Sequence, residues 1–308
     1  MFYQKIGDIA RKYVFSDMRI KIRTLRLKMR RIKKRIKVRS KIALGISLKK
    51  PLKSLQFEVH LVEHCNLNCA GCDNFSSLAN PEFLAVSEFE KDFTRLRELF
   101  GDNCQRIYLM GGEPLLHPNL IEFLEISRLL FPNALIMIIT NGILLSSLPI
   151  YFWEKCHKHQ IDVGISRYPI HIEINAIKER AMQHGVSVQW FGGDKDNRMH
   201  CYPLDLSGVQ NFREMFGQCE RANTCITLKH GKLYPCSCAP HIEHFNKYFD
   251  VDLQLSQADS IDIYEVRSGE EILKRLSLPI PFCRYCALND VRDGLEWHTT
   301  QKKITEWI

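Results

Sequence analysis

Three closely spaced cysteines are the residues of this sequence best suited to chemistry. Cys65, Cys69 and Cys72 form a CxxxCxxC segment directly after a strand-like apolar run. Three thiolates at this spacing can hold three corners of a cubane [4Fe–4S] cluster and leave its fourth iron open to a ligand. Zinc is the alternative metal, but its structural sites take four ligands, and the adjacent His64 is awkwardly placed to be the fourth. The segment therefore predicts an iron–sulfur cluster with an open coordination position.

Alternating strand-like and helix-like segments surround this loop. Strands are predicted at Leu55–Val62, Arg106–Met110, Leu135–Thr140, Ile161–Ser166 and Val186–Phe191. Helices are predicted between them, at about Ser87–Phe100, Leu120–Leu130, Leu148–His159 and Ile172–His184. This alternation predicts a parallel α/β sheet, open or closed into a barrel, with its chemistry at the carboxyl ends of the strands.

Glycine-rich and polar segments follow the next three strands. Met110-Gly111-Gly112-Glu113-Pro114 follows the second strand, Thr140-Asn141-Gly142 ends the third, and Ser166-Arg167 ends the fourth. In this order, and together with the cysteine loop, they resemble the radical S-adenosylmethionine (SAM) superfamily. The resemblance implies a partial (β/α)6 barrel in which the three cysteines hold a [4Fe–4S] cluster that binds SAM. The implied cofactor contacts are Gly111, Gly112, Glu113, Pro114, Thr140, Asn141, Ser166 and Arg167.

The resemblance also implies a mechanism and roles for single residues. One electron from the reduced cluster cleaves SAM to methionine and a 5′-deoxyadenosyl radical, which abstracts hydrogen from the substrate. The two glycines would let the backbone approach the cofactor, Glu113 would hold its ammonium group, and Ser166 would contact its ribose. Arg167 could pair with a carboxylate. Gly71 stands where the family usually has an aromatic residue, so we expect Phe75 to cover the adenine.

A second group of cysteines lies in the C-terminal third of the chain. In this group, Cys219 is followed after eleven residues by Gly231, after four more by Cys236, and much later by the CxxC segment that begins at Cys283. This pattern resembles the twitch domain, a shorter relative of the SPASM domain. The ligands implied for an auxiliary [4Fe–4S] cluster are Cys219, Cys236, Cys283 and Cys286. Gly231 would form the hairpin turn between the first two. Cys225 and Cys238 compete for these positions, and a four-thiolate zinc site is the alternative.

Composition indicates a cytoplasmic protein with a basic extension. Apolar runs are too short to span a bilayer, no signal peptide is recognisable, and twelve cysteines in a reducing compartment are better metal ligands than disulfide partners. Residues 1–53 contain 19 Lys and Arg and two acidic residues, a net charge of +17. The rest of the chain contains 24 basic and 33 acidic residues, a net charge of −9.

The basic extension is predicted to be an amphipathic helix. Its apolar residues recur at steps of three or four and share one stripe: Met18, Ile22, Leu25, Met29, Ile32 and Ile36. Such a helix can lie on an anionic membrane surface, so that the protein is peripheral there, or pack on its own body or a partner protein. Nucleic acid is disfavoured, because the segment has almost no aromatic residues for base stacking. The predicted organisation is a helical extension (1–50), a radical SAM partial barrel (51–215) and a twitch-type module (216–308).

The preferred function is oxidation of a small hydroxylated molecule, such as a sugar or aminocyclitol, with the second cluster as electron acceptor. The short chain and the absence of room for a folded peptide-recognition domain before Leu55 favour it. The alternatives are a peptide-modifying maturase, an epimerase and an activase that installs a radical on a partner enzyme. The alternative that is not an enzyme is a metal-binding adaptor that the basic helix anchors to the membrane. An external reductant such as flavodoxin or ferredoxin is expected for the enzymes.

Overall fold

The N-terminal unit contains one described helix, α1, which covers residues 25–43. The structure is a computed structural model that describes residue 22 and residues 25–192 and 198–308. It divides into two compact units, Met1–Leu48 and Lys49–Ile308. The apolar stripe predicted for α1 is exposed, with between 44% and 61% of the surface accessible at Ile22, Leu25, Met29, Ile32 and Ile36. Met18, also predicted on this stripe, lies outside the described residues.

Alternating strands and helices open the second unit. The strands are β1 (Leu55–Val62), β2 (Cys104–Gly111), β3 (Leu135–Thr140), β4 (Ile161–Ser166) and β5 (Val188–Phe191). The helices between them are α2 (Val86–Phe100), α3 (Leu120–Leu130), α4 (Ile150–Lys158) and α5 (Ile174–His184). The predicted alternation is confirmed, and every boundary lies within two residues of the expected one.

The C-terminal part contributes the remaining elements. They are β6 (Arg198–Cys201), α6 (Phe212–Gln218), β7 (Thr227–Lys229), β8 (Lys232–Tyr234), α7 (Cys238–Phe249), β9 (Ile261–Asp262), α8 (Gly269–Leu276) and β10 (Arg292–Glu296). The predicted hairpin is present as β7 and β8. His230 and Gly231 connect its strands with φ of +47° and +69°, as a tight hairpin turn requires.

One eight-stranded sheet joins both parts of this unit, in the order β5-β4-β3-β2-β1-β7-β8-β9. Strands β1 to β5 are parallel, and β7 continues the parallel set beyond β1. The predicted α/β class with a parallel sheet is confirmed, but its sixth parallel strand is β7. β6, the next strand in the chain, pairs instead with β10 in a separate antiparallel ribbon.

Aromatic side chains fix α2 and α3 against the sheet. Phe57 of β1 meets Phe93 edge-on at 5.4 Å between ring centroids, and Phe93 stacks on Phe89 at 3.8 Å. Phe89 in turn contacts Phe123 of α3. These rings are fully buried, so they hold β1, and with it the start of the loop that follows, rigidly against α2 and α3.

Hydrogen bonds of buried polar side chains attach the C-terminal part to β1 and α2. Thr227 of β7 donates a hydrogen bond of 2.9 Å to the buried carboxylate of Glu58 in β1. Asp92 of α2 accepts hydrogen bonds from the backbone N–H of Gly231 and the hydroxyl of Tyr264, at 2.8 and 2.6 Å. The predicted domain boundary between residues 215 and 216 stays a prediction.

Candidate functional site

The cysteine loop leaves β1 at Val62 and reaches the carboxyl end of the sheet. The thiol sulfur of Cys65 accepts hydrogen bonds from the backbone N–H of Leu67 (3.4 Å) and the side-chain amide of Asn141 (3.7 Å). Cys69 accepts one from the indole N–H of Trp297, at 3.1 Å. Donors aimed at sulfur stabilise thiolates, and in iron–sulfur proteins they also tune the cluster.

Both cysteine groups offer free thiols as metal ligands. The described residues include all twelve cysteines, and none of them forms a disulfide. Thiolate sulfur is the donor that holds iron–sulfur clusters, and zinc also takes it.

Burial keeps these thiols protonated when no metal is bound. It raises the pKa of Cys65 to about 11 and that of Cys69 to about 12, and it also raises the pKa of Cys72. Metal ligation by cysteine requires the thiolate, so loading this loop releases protons.

Gly111 and Gly112 allow the second loop to touch the first. A Cβ atom at Gly112 would lie 2.0 Å from the carbonyl oxygen of His64, and one at Gly111 would lie 2.3 Å from that of Val62. The backbone N–H groups of Gly112 and Glu113 donate to the carbonyls of Val62 and His64, at 2.7 and 3.1 Å. The close approach visible here is thus to the cysteine loop itself, whereas the sequence suggested an approach to the cofactor.

Glu113 is fully buried and ties three segments together. One carboxylate oxygen accepts from the Thr140 hydroxyl (2.7 Å) and the Leu115 N–H (3.1 Å), and the other accepts from the Asn141 N–H (2.9 Å). Burial nevertheless raises its pKa to about 6. Its predicted ammonium contact stays a prediction. With four acceptor positions on a carboxylate, at most one remains beside these three bonds.

The side chain of Asn141 connects the hydrogen bonds around Glu113 with the cysteine loop. Its side-chain amide donates to Asn66 at 2.8 Å as well as to the Cys65 sulfur. Its carbonyl oxygen accepts from the N–H of Ile143 at 3.0 Å, which fixes the orientation of the amide. Thr140 and Asn141, both predicted cofactor contacts, therefore lie next to the first cysteine.

The other predicted cofactor contacts lie at neighbouring strand ends. Pro114 is buried and begins a short 3-10 turn after β2. Ser166 is the last residue of β4, opposite Phe191 of β5. The guanidinium of Arg167 lies 5.6 Å from the ring centre of Trp190. The structure thus distributes the predicted contacts along one edge of the sheet, and their contacts with SAM stay predictions.

Phe75 is buried and lies in the wall of the cavity that the second cysteine group lines. It is 1% exposed and packs against Phe245 of α7, with ring centroids 5.5 Å apart. The expectation that it covers the adenine stays a prediction. Gly71 has φ of +60°, and a Cβ there would lie 2.9 Å from the carbonyl oxygen of Glu306. The C-terminal segment occupies the space that a side chain at position 71 would need.

That C-terminal segment, residues 297–307, forms hydrogen bonds with the cysteine loop at several positions. Backbone hydrogen bonds join Ala70 to His298 at 3.0 Å and Thr300 to Asn68 at 2.8 Å. The indole of Trp307 donates to the carbonyl oxygen of Cys72 at 2.9 Å. Together with Trp297 on Cys69, two tryptophans therefore contact the loop. Neither could be predicted as a contact of the loop, because no local pattern connects them with it.

The second cysteine group converges on one cavity. Five cysteines line it: Cys219, Cys236, Cys238, Cys283 and Cys286. Burial raises the pKa of Cys236 to about 12, and burial together with the neighbouring sulfurs raises the pKa of Cys283 and Cys286. All four predicted ligands are therefore together, with Cys238 as a fifth candidate. Cys225, the other competitor, does not line this cavity.

An ion pair joins the two cysteine groups. Asp73 directly follows Cys72 and pairs with Arg221, and both residues line the second cavity. The Arg221 guanidinium also lies over the ring of Tyr202, 3.8 Å from its centre. Since one wall of the second cavity begins at the residue after Cys72, the two candidate cluster sites are neighbours.

Comparison with known proteins agrees with this geometry. Residues 59–175, which contain the cysteine loop and the strand ends described above, match the model of the Radical SAM superfamily. This chain carries a radical SAM domain. Enzymes of this superfamily use a [4Fe–4S] cluster and SAM, and the thiolate donors of the loop fit such a cluster.

Relatives of the radical SAM domain differ in what they do. GTP 3′,8-cyclase of Staphylococcus epidermidis is 28% identical over 144 residues, which cover 44% of this chain and 38% of the cyclase. The antilisterial bacteriocin subtilosin biosynthesis protein AlbA of Bacillus subtilis is 31% identical over 115 residues, 37% of this chain and 24% of AlbA. The chain thus spans less than half the length of these relatives. The structure of BtrN in complex with AdoMet and 2-DOIA aligns with a TM-score of 0.47 at 15% identity, covering 77% of this chain and 94% of BtrN.

Proposed function

We propose that this radical SAM enzyme is an oxidoreductase that uses two [4Fe–4S] clusters to oxidise a small hydroxylated molecule of the sugar or aminocyclitol type. Cys65, Cys69 and Cys72 hold the cluster that binds SAM. Cys219, Cys236, Cys283 and Cys286 hold the auxiliary cluster.

One observation carries this proposal: a buried cavity lined by five cysteines adjoins the radical SAM cysteine loop. Four thiolates complete an iron–sulfur cluster and leave no iron open. A fully ligated cluster suits electron transfer rather than SAM binding. Its position beside the Asp73–Arg221 pair suits an acceptor close to the radical SAM cluster.

The electron balance explains why an acceptor is needed. Converting a C–OH group to C=O removes two hydrogen atoms, that is, two electrons and two protons. When bound, the first cluster and SAM supply the radical that takes one hydrogen atom. The auxiliary cluster, held by Cys219, Cys236, Cys283 and Cys286, would supply an acceptor for the remaining electron, and the hydroxyl proton would pass to solvent or to a neighbouring base.

The chain's own residues hold the cysteine loop in place. Glu113 and Asn141 fix the loops around Cys65 through hydrogen bonds. The C-terminal segment is hydrogen-bonded to the cysteine loop and places the indole N–H of Trp297 on the Cys69 sulfur.

Variants of the second cysteine group test the proposal. Cys283→Ser and Cys286→Ser should leave reductive cleavage of SAM to 5′-deoxyadenosine intact but abolish oxidation of a hydroxylated substrate. Cys156→Ala, a change in the core of α4, is the matched control and should preserve both activities. If the Cys283 and Cys286 variants still turn over substrate, the auxiliary site does not accept electrons, and the epimerase or activase alternative takes its place.

A peptide-modifying maturase is the second candidate. The similarity to AlbA over 37% of the chain favours it. A precursor peptide as substrate, rather than a free sugar-type molecule, would be the distinguishing result in assays coupled to 5′-deoxyadenosine formation. Flavodoxin or ferredoxin is the proposed source of the first electron in either case.

We also propose that helix α1 attaches the protein to an anionic membrane surface. Residues 25–43 contain ten Lys and Arg and no acidic residue, and the apolar stripe of α1 is exposed. Apolar insertion combined with basic flanks is the usual pattern of interfacial helices. Among the described helices, none is long and apolar enough to cross a bilayer.

A further inference from the structure

A cluster of buried imidazole and carboxylate groups connects the end of β1 with α7. His60 of β1, Glu63 just after β1 and His241 of α7 place one possible ligand atom each within 4.8 Å of the others. All three are buried, and within the described part of the chain they are the one set of three His, Cys, Asp or Glu residues with this spacing. The donors are nitrogen and oxygen, unlike the sulfur donors of the two cluster sites.

Two of these imidazoles, whose rings stack with centroids 3.9 Å apart, have nitrogen atoms without hydrogen-bond partners among the described residues. Neither ring nitrogen of His60 has a hydrogen-bond partner among the described residues, although the side chain is almost fully buried. His241 is completely buried, and its Nε2 also has no partner there. A buried imidazole without partners is costly, so native proteins normally give it a hydrogen bond, a water molecule or a metal ion.

The neighbouring groups are arranged around the carboxylate of Glu63. One of its oxygens accepts from His241 Nδ1 at 3.0 Å and from His244 Nε2 at 2.6 Å. The Lys229 ammonium lies 3.2 Å from the other oxygen. Lys229 also pairs with Glu243 at 2.6 Å, so it keeps a partner if a cation takes Glu63.

Space for ligand exchange adjoins the cluster. A cavity of about 130 Å3 is lined by His60, Glu63, Glu82 and Lys229, whereas His241 is not part of its lining. This volume admits an ion with one or two water molecules. A metal ion held by three protein groups needs such room for its fourth ligand.

We propose that His60, Glu63 and His241 form a binding site for one divalent transition-metal ion, with zinc as the expected occupant. Two imidazoles and one carboxylate are a donor set that zinc takes in proteins, and His244 is close enough to serve as a further ligand or to orient Glu63. The ion connects β1, which leads into the radical SAM cysteine loop, to α7, which starts at Cys238. It therefore fixes the second cysteine group against the first strand, and the inference does not depend on the proposed reaction.

Zinc binding to the anaerobically reconstituted full chain tests this site. After incubation with one equivalent of zinc and removal of loosely held metal, the zinc K-edge spectrum should show only nitrogen and oxygen ligands at about 2.0–2.1 Å. His60→Gln and His241→Gln should each lower zinc affinity at least about tenfold. His171→Gln, at an exposed histidine outside the cluster, should bind zinc like the unmodified chain.

Three results would overturn the site. They are failure of the unmodified chain to retain zinc, a sulfur shell near 2.3 Å that places the zinc on cysteines, and unchanged affinity in the His60 and His241 variants. The spectrum of the unmodified chain decides the donor type even if a variant fails to fold.

Discussion

At position 112 the absence of a side chain allows the cysteine loop and the glycine-rich loop to share hydrogen bonds. We expect Gly112→Ala to separate them, because the new Cβ would lie 2.0 Å from the His64 carbonyl oxygen. Iron incorporation after anaerobic reconstitution should fall by about one [4Fe–4S] cluster, and the free energy of unfolding should drop by several kcal/mol.

Gly101→Ala is the matched control for that substitution. Gly101 has φ of +51°, but no atom lies within 4 Å of a Cβ built there. This variant should lose about 1–3 kcal/mol for its backbone conformation and keep its full iron content. Equal iron loss in both variants would contradict the steric argument.

Glu113 is expected to act first as an anchor for the strand ends. In Glu113→Gln, an NH2 group replaces an oxygen that accepts from a backbone or hydroxyl donor, so one buried bond is lost and a donor is left unpaired. We predict a loss of about 1–3 kcal/mol of unfolding free energy in the cluster-free chain, measured by urea denaturation at pH 7.5. Thr140→Val removes the bond to Glu113 and also the bond that the Thr140 hydroxyl accepts from the Gly142 N–H at 3.0 Å, so it should cost a comparable amount. An unchanged stability of Glu113→Gln would show that the carboxylate is not the anchor.

For single residues, the sequence was sufficient to predict which residues form the site, but not which side chains contact them. The spacing of Cys65, Cys69 and Cys72 and the order of the later motifs were sufficient to predict a radical SAM site. Trp297 on Cys69 and His241 beside Glu63 could not be predicted, because residues separated by more than 170 positions meet only through the fold.

The pairing of β1 with β7 rests on a buried carboxyl group with an unusual proton affinity. Burial outweighs the Thr227 hydrogen bond and the charge of Arg221, and it raises the pKa of Glu58 to about 7. The folded chain therefore holds this proton more tightly than the unfolded chain. The stability that it contributes is complete below about pH 4.5 and is lost as the pH rises through 7.

Glu58→Gln removes this titration. We predict that the variant gains stability relative to the unmodified chain between pH 5 and pH 8, by up to about 3 kcal/mol. Urea denaturation of the cluster-free chain under reducing conditions at both pH values measures the difference, with the surface substitution Glu98→Gln as a control. A stability difference that does not change between pH 5 and pH 8 would rule out a raised pKa at Glu58.

Helix α1 should bind vesicles through its stripe and its charge together. The full chain should cosediment with vesicles that contain an anionic lipid but not with neutral phosphatidylcholine vesicles, and salt should weaken the binding. Ile32→Asn combined with Ile36→Asn should reduce binding severalfold, whereas Ile150→Asn, at an exposed position of α4, should not. If the Ile32→Asn and Ile36→Asn substitutions leave vesicle binding unchanged, the apolar stripe does not insert into the membrane, and α1 binds vesicles by charge alone or uses its stripe for a protein partner.

Element prediction succeeded where the hydrophobic pattern is local. The five alternating strands were found because each is a short apolar run bounded by turn residues. The place of β7 in the main sheet was not found. A three-residue strand carries no signal for its partner, and the pairing depends on Glu58 and Thr227 meeting in the core.

At the scale of the whole molecule, one sheet brings the two cysteine groups together. The second cysteine group is joined to the first by β7 against β1 and by Arg221 against Asp73. The sequence predicted both groups, but not that the residue after Cys72 borders the second cavity. This proximity makes the auxiliary site a plausible electron acceptor in the proposed reaction.

Iron content of the anaerobically reconstituted full chain, combined with Mössbauer spectroscopy, tests this claim most directly. We predict about eight iron atoms per chain, all in [4Fe–4S] clusters. The count should fall to about four when Cys65, Cys69 and Cys72 are replaced by alanine, and again to about four when Cys219, Cys236, Cys283 and Cys286 are replaced, whereas Cys225→Ala should leave it unchanged. About four iron atoms in the unmodified chain, with no loss on replacing the second group, would contradict the account.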